Sequence, residues 1–150
     1  MKHTSLDEIR DEVNVVAFKL ETQKSPWAIR RERLERFAAV LESYEGPIRL
    51  LARVEFVPHG ERMRMRTDDS PLTVAYADPD LRRRGLAGDR FGDAITFFML
   101  NPGEAHHLLC DCHYFGSVTS QMIAARARSL AHRTSVGELW AKARTLLGFR

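Results

Sequence analysis

Residues Leu72–Gly88 read LTVAYADPDLRRRGLAG, and how they fold decides what kind of protein this is. The apolar run Leu72–Ala77 has the length of a buried strand and stops at Asp78-Pro79. An arginine triplet, Arg82–Arg84, then leads into Gly85-Leu86-Ala87-Gly88. Beyond it, Phe91, Ile95 and Phe98 fall on one side of a helix expected over Gly88–Met99. A strand feeding a small-residue turn that opens a helix leaves backbone N–H groups free to face an anion, with the positive end of the helix dipole behind them.

Upstream, the hydrophobic period is two. Ile48, Leu50, Ala52, Val54 and Phe56 alternate with Arg49, Arg53 and Glu55, as in a half-buried strand. Pro58-His59-Gly60 turns the chain, and Arg62-Met63-Arg64-Met65-Arg66 alternates again. Asp68-Asp69-Ser70-Pro71 supplies a second turn, so short connections link three consecutive strands into an antiparallel meander. Before the meander the pattern is helical. Ser5 and Glu8 form a capping box ahead of a helix to about Thr22, and Ser25-Pro26 starts another with Trp27, Leu34, Phe37, Ala38 and Leu41 on one face, ended by Gly46-Pro47.

Downstream, Asn101-Pro102-Gly103 stops the central helix, and His106–Phe115 reads as a fourth strand covered on both faces. A helix from Ser117 to about Ala131 turns Val118, Met122, Ala125 and Leu130 inward, and the capping box Ser135–Glu138 opens a last one to Gly148. The expected architecture is one α+β domain over residues 1–150. A mainly antiparallel sheet, a three-strand meander plus one further strand, is packed by helices in the order ααβββαβαα.

With 44% hydrophobic and 29% charged residues, the 150-residue chain can bury a real core. A net charge of +3 suits an anionic small molecule but falls short of the basic stripe of a nucleic-acid binder. Arginines at 30, 31, 33 and 36 share their helix with Glu32, Glu35 and Glu42, the pattern of a salt-bridged solvated face. No apolar run approaches a membrane span, and MKHTSLDEIRDE lacks the apolar region of a secretory signal, so a cytoplasmic location is expected. Cys110 and Cys112 on one strand would sit about 7 Å apart, too far for a relaxed bridge, which favours reduced thiols.

The run Pro79-Asp80-Leu81-Arg82-Arg83-Arg84-Gly85-Leu86-Ala87 has the form Pro-x-apolar-Arg-x-x-Gly-x-Ala. It resembles the cofactor loop of the GNAT N-acetyltransferase superfamily, as do the order of elements and the ending Leu147-Gly148-Phe149. The resemblance implies an acyl-CoA-dependent N-acyltransferase, in working or divergent form, that moves an acyl group from acetyl-CoA or another acyl-CoA to a small-molecule or protein amine. Under it Arg82, Arg83, Arg84, Gly85, Leu86, Ala87 and Gly88 would hold the CoA pyrophosphate. Arg144 stands where the family often has its tyrosine acid. Proton transfer would therefore fall to Glu55 or Asp78 as base and Tyr114 as acid.

The same residues support a plainer account. Asp78 would cap a turn of helix starting at Pro79, Gly85 would be its C-terminal glycine, and the arginines would be solvated. The chain would then be a non-enzymatic α+β binding or regulatory module, able to self-associate as a homodimer through its helices. A third feature is AHHLLCDCH, residues 105–113. On a strand, His106, Cys110 and Cys112 would take one face and His107, Asp111 and His113 the other. That splits the potential ligands, and the paired spacing of a structural zinc site is missing, so no metal is expected; a thiol nucleophile with a histidine base is the alternative chemistry.

Overall fold

The computed structural model describes residues 24–133 together with Leu139. The helix expected over Leu6–Thr22, nearly all of the one from Ser135, and the Leu147-Gly148-Phe149 ending lie outside the described residues. Within them the protein is helical: α1 (Pro26–Glu42), α2 (His59–Arg62), α3 (Pro71–Ala77), α4 (Pro79–Arg83), α5 (Phe91–Phe98), α6 (Pro102–Leu109) and α7 (Ser120–His132). Single 3₁₀ turns stand at Val54–Phe56 and Asp111–His113.

The α+β architecture with an antiparallel sheet is therefore corrected. Among the described residues the sole β pairing is an isolated parallel bridge between Leu51 and Cys110. Leu72–Ala77 is too short for its apolar content to distinguish strand from helix. The flanking residues decide: the Ser70 side chain accepts the Thr73 amide at 3.0 Å, and Pro71 occupies the first helical position. The same cap-then-proline arrangement opens α1 at Ser25-Pro26, α4 at Asp78-Pro79 and α6 at Asn101-Pro102. The 48–56 segment is extended only in part. Leu51 donates to Leu109 O and its own carbonyl accepts from Asp111, but Arg53 enters the left-handed region (φ 56°) and turns the chain into the 3₁₀ helix. Over residues 62–66, Met63 and Met65 are half-buried and Arg64 and Arg66 exposed, but Arg62 is half-buried as well and ends α2, so the alternation expected of a strand is not kept. Their partner is the start of α5 rather than a strand.

The longest packed pair is α1 against α7, with α3, α4 and α5 also on α1 and α6 on α7. Leu34, Phe37, Ala38 and Leu41 form the buried face of α1 at the i, i+3, i+4, i+7 spacing. On α7 the buried face is Ile123, Ala124, Ala127, Leu130 and Ala131; Met122 and Ala125 point outward, a phase one step from that expected. Phe37 and Phe98 meet at 5.0 Å between ring centroids, and Phe97 packs edge-on to Phe98 at 4.9 Å. The arginines of α1 join helix ends. Arg33 donates to Phe97 O and Arg30 to Met99 O at the C-terminus of α5, while Arg31 donates to Ala131 O on α7. No described helix is long and apolar enough to cross a membrane.

Candidate functional site

The Arg82–Gly88 segment begins in the last turn of α4 rather than at the end of a strand, and the amides of Arg84, Gly85 and Leu86 are committed within the chain. Arg84 N donates to Asp80 O, Gly85 N to Arg82 O and Leu86 N to Leu81 O, at 3.0 Å each. Gly85 takes φ +107°, the glycine conformation that ends a helix, and Leu86 is buried behind it. The next helix, α5, has no open N-terminus. Arg90 N donates to the Asp93 carboxylate at 3.0 Å, Phe91 N to Met65 O at 2.9 Å and Gly92 N to Met63 O at 3.0 Å. A Cβ at Gly88 would meet the Asp93 carboxylate oxygen at 2.5 Å, so an internal anion already sits beside that glycine. Ala87 is exposed. Of the arginines, Arg83 and Arg84 pair with Asp80, Arg84 also reaches Glu32, and Arg82 lies 5.9 Å from the Tyr76 ring.

The three residues considered for proton transfer are held by different neighbours. Asp78 caps α4 through the Leu81 amide (3.0 Å) and takes two hydrogen bonds from Arg36, at 2.6 and 3.1 Å. The Arg36 guanidinium keeps its carboxyl below the usual carboxylate range. Tyr114 is buried and donates to Leu108 O at 2.7 Å; burial pushes its phenol up to about 12. Glu55 is exposed on the 3₁₀ turn after Leu51, and hydrogen bonds from its own backbone amide and from His106 hold it low.

Glu55 belongs to a polar corner that strand periodicity separated. Helix α6 is opened by a reciprocal box, Asn101 with Glu104, and carries His106 in its last turn. The chain then pairs Cys110 with Leu51 and makes the 3₁₀ turn Asp111–His113, which folds Cys112 and His113 back onto His106. His106 Nδ1 and His113 Nε2 lie 2.7 Å apart, with the rings nearly perpendicular. On the other side of the His106 ring, Nε2 is buried, lacks a hydrogen bond of good geometry, and lies 3.4 Å from Glu55 Oε2. The His106, His113 and Cys112 ligand atoms all fall within 4.8 Å of one another. Arg126 pins the turn: it donates to His107 O and His113 O and stacks 3.7 Å over the Tyr114 ring.

The two thiols differ. Cys110 is fully buried and its thiol is pushed up to about 12 by that burial. Cys112 is exposed, its thiol raised by local desolvation and by the Glu55 and Asp111 carboxylates. His107, whose ring packs at 4.9 Å from His113, is held below the ordinary imidazole range by burial and then by Arg126. Compared with protein-family models, with curated proteins and with solved structures, the chain matches none. Among the described residues, fold and site define a set of packed helices with a histidine- and thiol-bearing corner.

Proposed function

We propose that this chain is a non-enzymatic helical binding module whose ligand-facing part is the corner formed by Glu55, His106, Cys112 and His113. The observation that carries the reading is a contrast in unused bonding capacity. Around Gly85 and at the start of α5, the amides of Arg84, Gly85, Leu86, Arg90, Phe91 and Gly92 all have acceptors in the chain. At the corner, Cys112 and Glu55 are exposed, and His106 Nδ1 and His113 Nε2 face each other at 2.7 Å rather than a backbone group. A pyrophosphate at Gly85 would have to displace bonds that close α4 and open α5, at a cost of about 1 kcal/mol or more per bond.

This reading departs from acyl transfer, for which Glu55 or Asp78 would have to share a cleft with Tyr114. Asp78 is occupied as a cap and ion pair, and Tyr114 is spent on a buried carbonyl. A cytoplasmic setting fits a module with two free thiols. The test is thermal unfolding with CoA and with acetyl-CoA at millimolar concentration. A ligand bound a hundred times above its Kd would stabilise the fold by about 2.7 kcal/mol. The expected result is an unchanged Tm. A rise in Tm that Gly85→Ala abolishes would overturn the proposal in favour of a cofactor loop.

A further inference from the structure

The geometry points to a divalent transition-metal site at this corner, with His106 Nδ1, His113 Nε2 and Cys112 Sγ as its three protein ligands and Glu55 fixing the His106 ring from behind. The inference deepens the reading of the corner as the ligand-facing part of the module and rests on it. The donor set is two imidazoles and a thiolate, which suits zinc or cobalt and not the hard, oxygen-seeking magnesium or calcium.

Spacing supports the assignment. With zinc–nitrogen bonds near 2.05 Å and zinc–sulfur near 2.3 Å, a tetrahedral ion separates two nitrogen ligands by about 3.3 Å and a nitrogen from a sulfur by about 3.6 Å. The two ring nitrogens stand at 2.7 Å, and all three ligand atoms lie within 4.8 Å. A tetrahedral ion therefore needs the histidine pair to open by about 0.6 Å and Cys112 Sγ to close in by at most about 1.2 Å. A pair of ring nitrogens this close needs a proton between them when no cation is bound.

The tautomer of His106 is the second support. A metal-ligating histidine generally presents its other N–H to a carboxylate, which fixes both ring orientation and tautomer. His106 Nε2 faces Glu55 Oε2 at 3.4 Å, so the Nε2–H tautomer leaves the Nδ1 lone pair aimed at His113 and Cys112. Binding then moves the His113 proton from Nε2 to Nδ1 and releases the Cys112 thiol proton to solvent, because a coordinated thiol is deprotonated outright. The turn that carries Cys112 and His113 is held in place by Arg126 and by the Leu51–Cys110 bridge, so two of the ligands share one rigid support. Three protein ligands leave the fourth position to water or to an exchangeable outside ligand.

The experiment uses the full chain, reduced and stripped with a chelator, titrated with Co²⁺ and then with Zn²⁺. The expected result is a one-to-one complex with a near-ultraviolet thiolate-to-cobalt band and visible bands of tetrahedral intensity, both erased by Zn²⁺. Cys112→Ser removes the near-ultraviolet band while the fold, checked by circular dichroism, is kept. Glu55→Gln weakens cobalt binding by about tenfold. His59→Asn, on α2, leaves the spectrum unchanged. Absence of the thiolate band in the folded wild-type chain, or its persistence in Cys112→Ser, overturns the metal site. Neither result bears on CoA: a CoA-dependent rise in Tm would overturn the non-enzymatic reading alone.

Discussion

Replacing Asp78 separates the plain account of the Leu72–Gly88 stretch from the catalytic one. The carboxylate caps α4 through the Leu81 amide and binds Arg36 of α1 in two hydrogen bonds. Loss of an N-cap costs about 1 kcal/mol. The ion pair is worth less than its geometry suggests, because the Arg36 side chain is 43% exposed although that of Asp78 is only 9% exposed; about 0.5–1 kcal/mol is appropriate after solvent screening. Asp78→Ala should therefore destabilise by about 1.5–2 kcal/mol. Asp78→Asn keeps a good capping side chain and should lose only about 0.5–1 kcal/mol. The assay is urea unfolding with an unchanged m-value. The pH dependence has a definite sign. Asp78 is held below its unfolded pKa, so its charge-dependent contribution is complete above about pH 4 and is lost as pH falls through the lower folded value. The gap between wild type and Asp78→Asn should close in that acid window. Equal losses in Asp78→Ala and Asp78→Asn at neutral pH, or no loss in either, would refute the assignment of a cap and an ion pair.

Other consequences are as direct. Phe98 is fully buried between Phe37 and Phe97, so Phe98→Ala should cost about 3–5 kcal/mol in chemical denaturation. Gly85→Ala meets no atom within 4 Å but forces a side chain onto φ +107°, so it should lower stability by about 1 kcal/mol or more, read as a drop in urea midpoint. Cys110 and Tyr114 are both held protonated up to about 12 by burial, whereas in the unfolded chain they ionise near 8.5 and 10. Stability is intact below the unfolded values and should fall as pH rises toward 12, with Tyr114→Phe removing part of the slope.

The helix α1 was legible because its cap, proline and apolar spacing agree over seventeen residues. The same cap–proline grammar stands at Ser70-Pro71 and Asn101-Pro102, where it reads equally well as a turn. Ser70 opens a helix of only seven residues, too short for a 3.6-residue period to outweigh an apolar run. The alternation at 48–56 misled because its residues do not share an environment: Val54 is buried whereas Phe56 is 79% exposed. Asp78 as a cap and Gly85 as a helix terminator were readable from local chemistry; the arginines of α1, read as a solvated face, instead reach Met99 O, Ala131 O, Phe97 O and Asp78 on other elements. The corner was not, since His106 and His113 fall on opposite faces of a strand. They meet only because α6 ends at Leu109 and a 3₁₀ turn reverses the chain. A tight turn after a short helix leaves little trace in hydrophobic periodicity.

The central claim is that Leu72–Gly88 is two capped helices closed by their own glycine, with no strand feeding a ligand loop. Backbone chemical shifts test it residue by residue. The account requires helical Cα and carbonyl shifts over Pro71–Ala77 and Pro79–Arg83, broken at Asp78, and a slowly exchanging Leu86 amide bonded to Leu81. Strand shifts over 72–77, with cross-strand contacts to residues 48–56 or 106–115, would contradict it.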